Sequence, residues 1–159
     1  MALQSWRDEA VNGASVNIDY FMNGTGEAGS IVKYVTSTSG VGQASDDPNS
    51  LVALPTVANG SGEAPAGILL CDVVNKDLSQ THLNHHKREV NIGGKVGIGR
   101  RGVWVTNRIV PSEFPTPGTP AYFGVNGLLS TTSTNSTRVG TFMTGKSSDG
   151  YAKVSINLL

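Results

Sequence analysis

Apolar residues recur at every second position in several short runs of this chain, and no long stretch repeats with the period of a helix. Residues 30–36 are rich in β-branched and aromatic side chains and predict a strand. Residues 51–57 predict another, and Pro55 places it at a sheet edge, because proline donates no ladder hydrogen bond. Residues 66–74 form a short apolar run between turn signals, the pattern of a buried strand. Alternation then continues through residues 89–92, 95–100 and 102–107 and stops at Pro111. Residues 111–120 contain four prolines and cannot be a central strand. Two β-type runs, 121–125 and 128–130, flank Asn126-Gly127, the pair best suited to a tight hairpin turn. Residues 138–143 and 151–156 predict two further strands, with Asp149-Gly150 turning the chain between them. Closely spaced short strands with turn signals between them predict an all-β domain, a small barrel or sandwich.

The first twenty residues read differently. Ser5 can cap a short helix over residues 6–11 with Asp8 and Glu9 in its first turn, and Gly13 can end it. A helix of that length is not stable alone. Residues 1–20 are therefore expected to be an extended N-terminal arm that orders against another surface, with a terminal strand or frayed tail as the alternative. Residues 21–159 form the single β domain.

Composition narrows the function classes. Twelve basic and twelve acidic residues give a formal net charge of zero, which argues against nucleic acid as the partner. The basic pairs Lys87-Arg88 and Arg100-Arg101 read as solvated turn or strand faces. With 38% hydrophobic residues and no net charge, the chain does not have the composition of a disordered protein. No apolar run approaches the roughly 20 residues that span a bilayer, and the N-terminus lacks the basic-then-apolar layout of a secretory signal. A soluble product of a cytoplasm, with no membrane partner, is the expectation.

Candidate chemistry is sparse. His82, His85 and His86 could share one face of a helical turn and ligate zinc or nickel. They lack the intervening glutamate of a metalloprotease and any nearby cysteine, so a polar loop or one-turn helix on the surface is the expected reading. Gly93-Gly94-Lys95 is followed by Val96 and a strand pattern, which does not make a phosphate loop. Cys71 is the only cysteine and sits in an apolar run, where a small buried thiol is the default. No Gly-x-Ser-x-Gly elbow occurs, and Asp46, Asp47, Asp72, Asp77 and Glu113 are scattered in turns. The chain is expected to be no enzyme and to need no cofactor.

The C-terminal half carries a run of motifs. Gly94-Lys95-Val96-Gly97-Ile98 precedes Arg101-Gly102-Val103-Trp104-Val105. Pro117-Gly118-Thr119-Pro120-Ala121-Tyr122, Asn126-Gly127-Leu128-Leu129 and Arg138-Val139-Gly140-Thr141-Phe142-Met143 follow, and Tyr151-Ala152-Lys153-Val154-Ser155-Ile156 closes the chain. This resembles the capsid decoration, or cement, proteins of tailed phages, over roughly residues 93–159. The resemblance implies a β-barrel or β-tulip-like domain on the outer surface of the assembled head. It implies a homotrimer, or a dimer, that bridges neighbouring major capsid protein subunits and has no catalytic residues. Candidate capsid or subunit contacts are chosen by residue type, since aromatics and arginines anchor interfaces. They are Trp6, Arg7 and Tyr20 in the arm, Phe21 directly after it, and then Arg100, Arg101 and Trp104. For Trp104 a core position is the favoured reading, because it lies in an alternating strand. The competing classes are a virion adhesion or fibre module that touches host carbohydrate, and a tail or baseplate subunit.

Overall fold

The structure, a computed structural model, describes residues 3–5, 15–35, 51–57, 62–79 and 88–158. Its strands are β1 (Leu3–Ser5), β2 (Ser15–Met22), β3 (Ile31–Tyr34), β4 (Leu51–Ala53), β5 (Pro65–Leu69), β6 (Asp72–Val74), β7 (Glu89–Asn91), β8 (Lys95–Thr106), β9 (Pro120–Phe123), β10 (Leu129–Ser130), β11 (Arg138–Phe142) and β12 (Ala152–Asn157). The expected all-β class holds.

Five strands close a barrel in the order β8–β2–β4–β3–β5 and back to β8. Closure leaves these strands no open edge inside the ring. Each strand turns alternate residues into the barrel. Met22, Val32, Val52, Ala66, Leu69, Val96 and Ile98 fill it, with Val73 from β6 packed on them. Ala66 and Leu69 share that interior despite their odd spacing. The β3–β5 register shifts between Val32 and Lys33, so β5 has one extra residue there and its alternation slips by one.

A second sheet grows from the same long strand. The twelve-residue β8 pairs with β2 and β5 over its first half, and with β12 and β1 over its second. Beyond β12 the order is β11, β9, β10. The chain leaving β8 then covers β10: Leu129 N–H donates to the Arg108 carbonyl at 2.8 Å and Val110 N–H to the Leu129 carbonyl at 2.9 Å. The core of this sheet is Trp104, Ala121, Phe123, Leu129, Val139, Phe142, Ala152, Val154 and Ile156. It packs on Ile31 and Ile68, which are opposite each other in register on β3 and β5. Their neighbours Val32 and Leu69 face the barrel interior, so one wall serves two cores.

The crossing between the two halves is at Arg100. Gly99 is opposite Val16 and Arg101 opposite Ser15, leaving Arg100 as the extra residue of a bulge. That slip brings Gly99 and Trp104 to the same side of β8. The indole then lies over Gly99, where a Cβ would sit 2.3 Å from Trp104 Cζ2. Polar groups secure the seam as well. Arg108 Nε donates to Ser30 Oγ at 3.1 Å, Arg108 Nη1 to Glu27 Oε2 at 3.1 Å, and buried Thr106 Oγ1 to the Gly29 carbonyl at 3.4 Å.

Several expectations are refined. The division at residue 20 falls inside β2, which is one wall of the barrel, and Leu3–Ser5 is itself a strand. The helix expected over residues 6–11 lies outside the described residues. Pro55 does not put its strand at an edge, because β4 ends at Ala53 and lies between β2 and β3. The run 66–74 divides at Leu70-Cys71 into β5 and β6. The Asn126-Gly127 hairpin forms as expected: both residues have positive φ (56° and 72°), as a type I′ turn requires, and join β9 to β10.

Candidate functional site

The residues chosen from sequence do not gather at one place. Trp6, Arg7, His82, His85 and His86 lie outside the described residues. Tyr20 leans on the barrel core, with its ring centroid 5.9 Å from that of Tyr34. Phe21 is half-buried on the opposite side of β2, with Lys95 Nζ 5.9 Å from its ring centroid. Arg100 folds back on the C-terminal strand, where Nη2 donates to the Leu158 carbonyl at 2.9 Å. Arg101 is exposed. Trp104 is corrected as a docking candidate: it is 2% exposed and belongs to the second core, so it has no surface to offer a partner.

Several titratable groups are committed to local structure. Asp72 Oδ1 accepts from the Ala28 N–H at 2.8 Å, and Asp77 Oδ1 from the Ser79 N–H at 2.8 Å. Glu63 accepts from Lys33, Thr56 and the Val57 N–H at the barrel mouth. Burial pushes the Cys71 thiol up, and the neighbouring Asp72 adds to the rise, which makes it a poor nucleophile. Among the described residues, no group of three His, Cys, Asp or Glu side chains is placed to hold a metal ion, and no helix is long and apolar enough to cross a membrane.

One surface feature is built with more care than its neighbours. The proline-rich segment between β8 and β9 presents Phe114, which is 78% exposed; among the described residues the next most exposed large apolar side chain is Met143 at 48%. The flanks of Phe114 are fixed. On one side, Glu113 Oε1 accepts from Ser130 Oγ at 2.8 Å and Thr132 Oγ1 at 3.1 Å. Its Oε2 accepts from Thr131 Oγ1 at 3.0 Å and from the Thr131 N–H. On the other side Pro115 is buried. The chain then turns at Thr116-Pro117-Gly118-Thr119, closed by Thr119 N–H donating to the Thr116 carbonyl at 3.0 Å. Proline second and glycine third, with Gly118 at φ +88°, is the sequence a type II turn demands. Phe142 and Gly118–Thr119 exchange backbone bonds of 2.8 Å, so the turn is stitched to β11. Lys146 completes the arrangement: its Nζ is 5.4 Å from the Phe114 ring centroid and donates to the Pro111 carbonyl at 3.2 Å.

The Glu113 carboxyl responds to two opposed influences. Burial raises its pKa, but the Thr131 N–H and the hydroxyls of Ser130, Thr131 and Thr132 together outweigh burial and hold it below the usual carboxylate range. A depressed folded-state pKa contributes stability above the unfolded pKa, and that stability is lost as pH falls through the folded value. The wild-type protein should therefore lose thermal stability faster than Glu113→Gln as pH is lowered from about 5. Glu63 and Asp77 are also depressed and titrate in both proteins, so the difference between the two melting curves isolates Glu113. Parallel curves would show that the carboxylate does not anchor the loop.

No protein-family model matches this chain, and no curated protein matches it.

Proposed function

We propose that this chain is a decoration protein of a tailed-phage head, a structural protein that binds the outer surface of the assembled capsid and bridges neighbouring major capsid protein subunits. A homotrimer is the favoured assembly. The observation that supports this reading is the rigidly mounted Phe114, an exposed aromatic whose flanks are fixed by a four-bonded carboxylate and a buried proline. Interface energy concentrates in a few such anchors. Holding one in place before contact lowers the ordering cost of association. The fused barrel and sheet give it a stiff base. A protein that binds only the assembled lattice stabilises that state by mass action, about 2.7 kcal/mol per site at a hundredfold excess over Kd.

The test is co-sedimentation of the purified chain with expanded heads that lack it, followed by heating of the loaded and bare heads. Saturable binding with a raised disruption temperature is the expected result. Failure to bind heads, together with hits on a glycan array, would favour an adhesion module that uses the same exposed ring.

A further inference from the structure

We propose that Phe114 and Lys146 act as one docking pair that enters an apolar pocket rimmed by carboxylates on the major capsid protein. This rests on the decoration reading and names the contact through which it would operate. A single exposed apolar side chain is ordinary on a protein surface. What sets Phe114 apart is its mounting. The ring stands between a carboxylate with both oxygens occupied and a buried proline, in a segment pinned to β11 through Phe142 and to residues 130–132 through Glu113. None of those contacts covers the ring itself, which is 78% exposed.

The charge beside the ring specifies the partner further. Lys146 Nζ is held by the Phe114 ring face and the Pro111 carbonyl, and among the described residues it has no carboxylate partner. The acid beside Phe114 on the same segment, Glu113, has given its oxygens to Ser130, Thr131 and Thr132. An ammonium held in place without a counter-ion, next to an exposed ring, fits a pocket that is apolar where the ring enters and acidic at its lip. Burial of the ring would strengthen the cation–π contact by removing water from it. The acidic lip would add charge complementarity that salt can screen.

Binding to expanded heads is measured for the wild type, Phe114→Ala, Phe114→Leu and Lys146→Gln, each across a salt series. Because Phe114 is exposed, its variants should keep the wild-type circular dichroism and melting temperature, so lost binding is not lost folding. The expected result is affinity weakened at least about thirtyfold by Phe114→Ala. Phe114→Leu should retain most of it, and Lys146→Gln should lose much of the salt dependence. Wild-type binding with an unaffected Phe114→Ala would overturn the docking pair while leaving the decoration reading in place. Unchanged salt dependence in Lys146→Gln would overturn the acidic lip. No binding by the wild type would overturn both.

Discussion

Replacing Trp104 with alanine is expected to cost about 3–5 kcal/mol of folding stability, which is a large share of the roughly 5–15 kcal/mol that holds a domain together. The indole is 2% exposed and belongs to the core between the barrel wall and the second sheet. It lies on the bare backbone of β8, where a Cβ at Gly99 would approach Cζ2 to 2.3 Å and one at Gly102 would approach Cη2 to 2.8 Å. Gly99 and Gly102 beneath it have no side chains with which to fill the space it leaves. Urea unfolding should show a lower midpoint with an unchanged slope, and the melting temperature should fall by roughly 6–20 °C for a chain of this size. The same geometry predicts non-additivity. Gly99→Ala should be strongly destabilising alone, since its methyl meets the ring, and much less so in the Trp104→Ala background. Additive costs would show that the glycine and the indole do not share the space described.

The alternation that predicted the strands was a reliable guide wherever one face of a strand met one core. Val154 and Ile156, or Ala121 and Phe123, are buried at every second position as the pattern required. It was less informative where one strand serves two cores. Val96, Ile98 and Trp104 read as a single even-numbered face, yet the extra residue at Arg100 sends the first two into the barrel and the third out of it. Barrel closure was not legible at all, because it depends on the parallel pairing of Phe21 with Leu51 and on Ile68 meeting Gly99. No local pattern encodes those meetings. Strand β2 was legible and missed. Val16, Ile18, Tyr20 and Met22 alternate plainly, but the cap-like Ser5 and the acidic pair Asp8-Glu9 drew the whole segment into an arm. Phe114 lacked any motif to mark it. Its rigid exposure is set by a carboxylate that finds its donors 17 to 19 residues further along the chain.

That reassignment of β2 changes what a truncation at the N-terminus can test. Deleting residues 1–20 is expected to prevent cooperative folding, because it removes the pairings of Ser15, Val16, Asn17 and Tyr20 with β8 and opens the barrel. Met22, Val52, Val96 and Ile98 are now 0–2% exposed. Partial exposure of several such side chains costs on the order of 5–10 kcal/mol, comparable with the whole stability of a domain. Lost head binding by that truncation would say nothing about docking. The register offers a cleaner cut. Ser5 is opposite Trp104 and Ser15 opposite Arg101, so the chain leaves and rejoins the same edge of β8 three positions apart. That gap is about 10 Å along a strand, well within the reach of nine residues. Replacing residues 6–14 with a glycine-serine linker of equal length should therefore keep both strands and nearly all of the stability, while removing Trp6 and Arg7. A truncated chain that melts cooperatively near the wild-type temperature would show that β2 is dispensable. If the linker variant folds normally but binds heads more weakly, Trp6 and Arg7 contribute to docking alongside Phe114. Wild-type binding by the linker variant would assign the contact to the surfaces that flank β8 and β9.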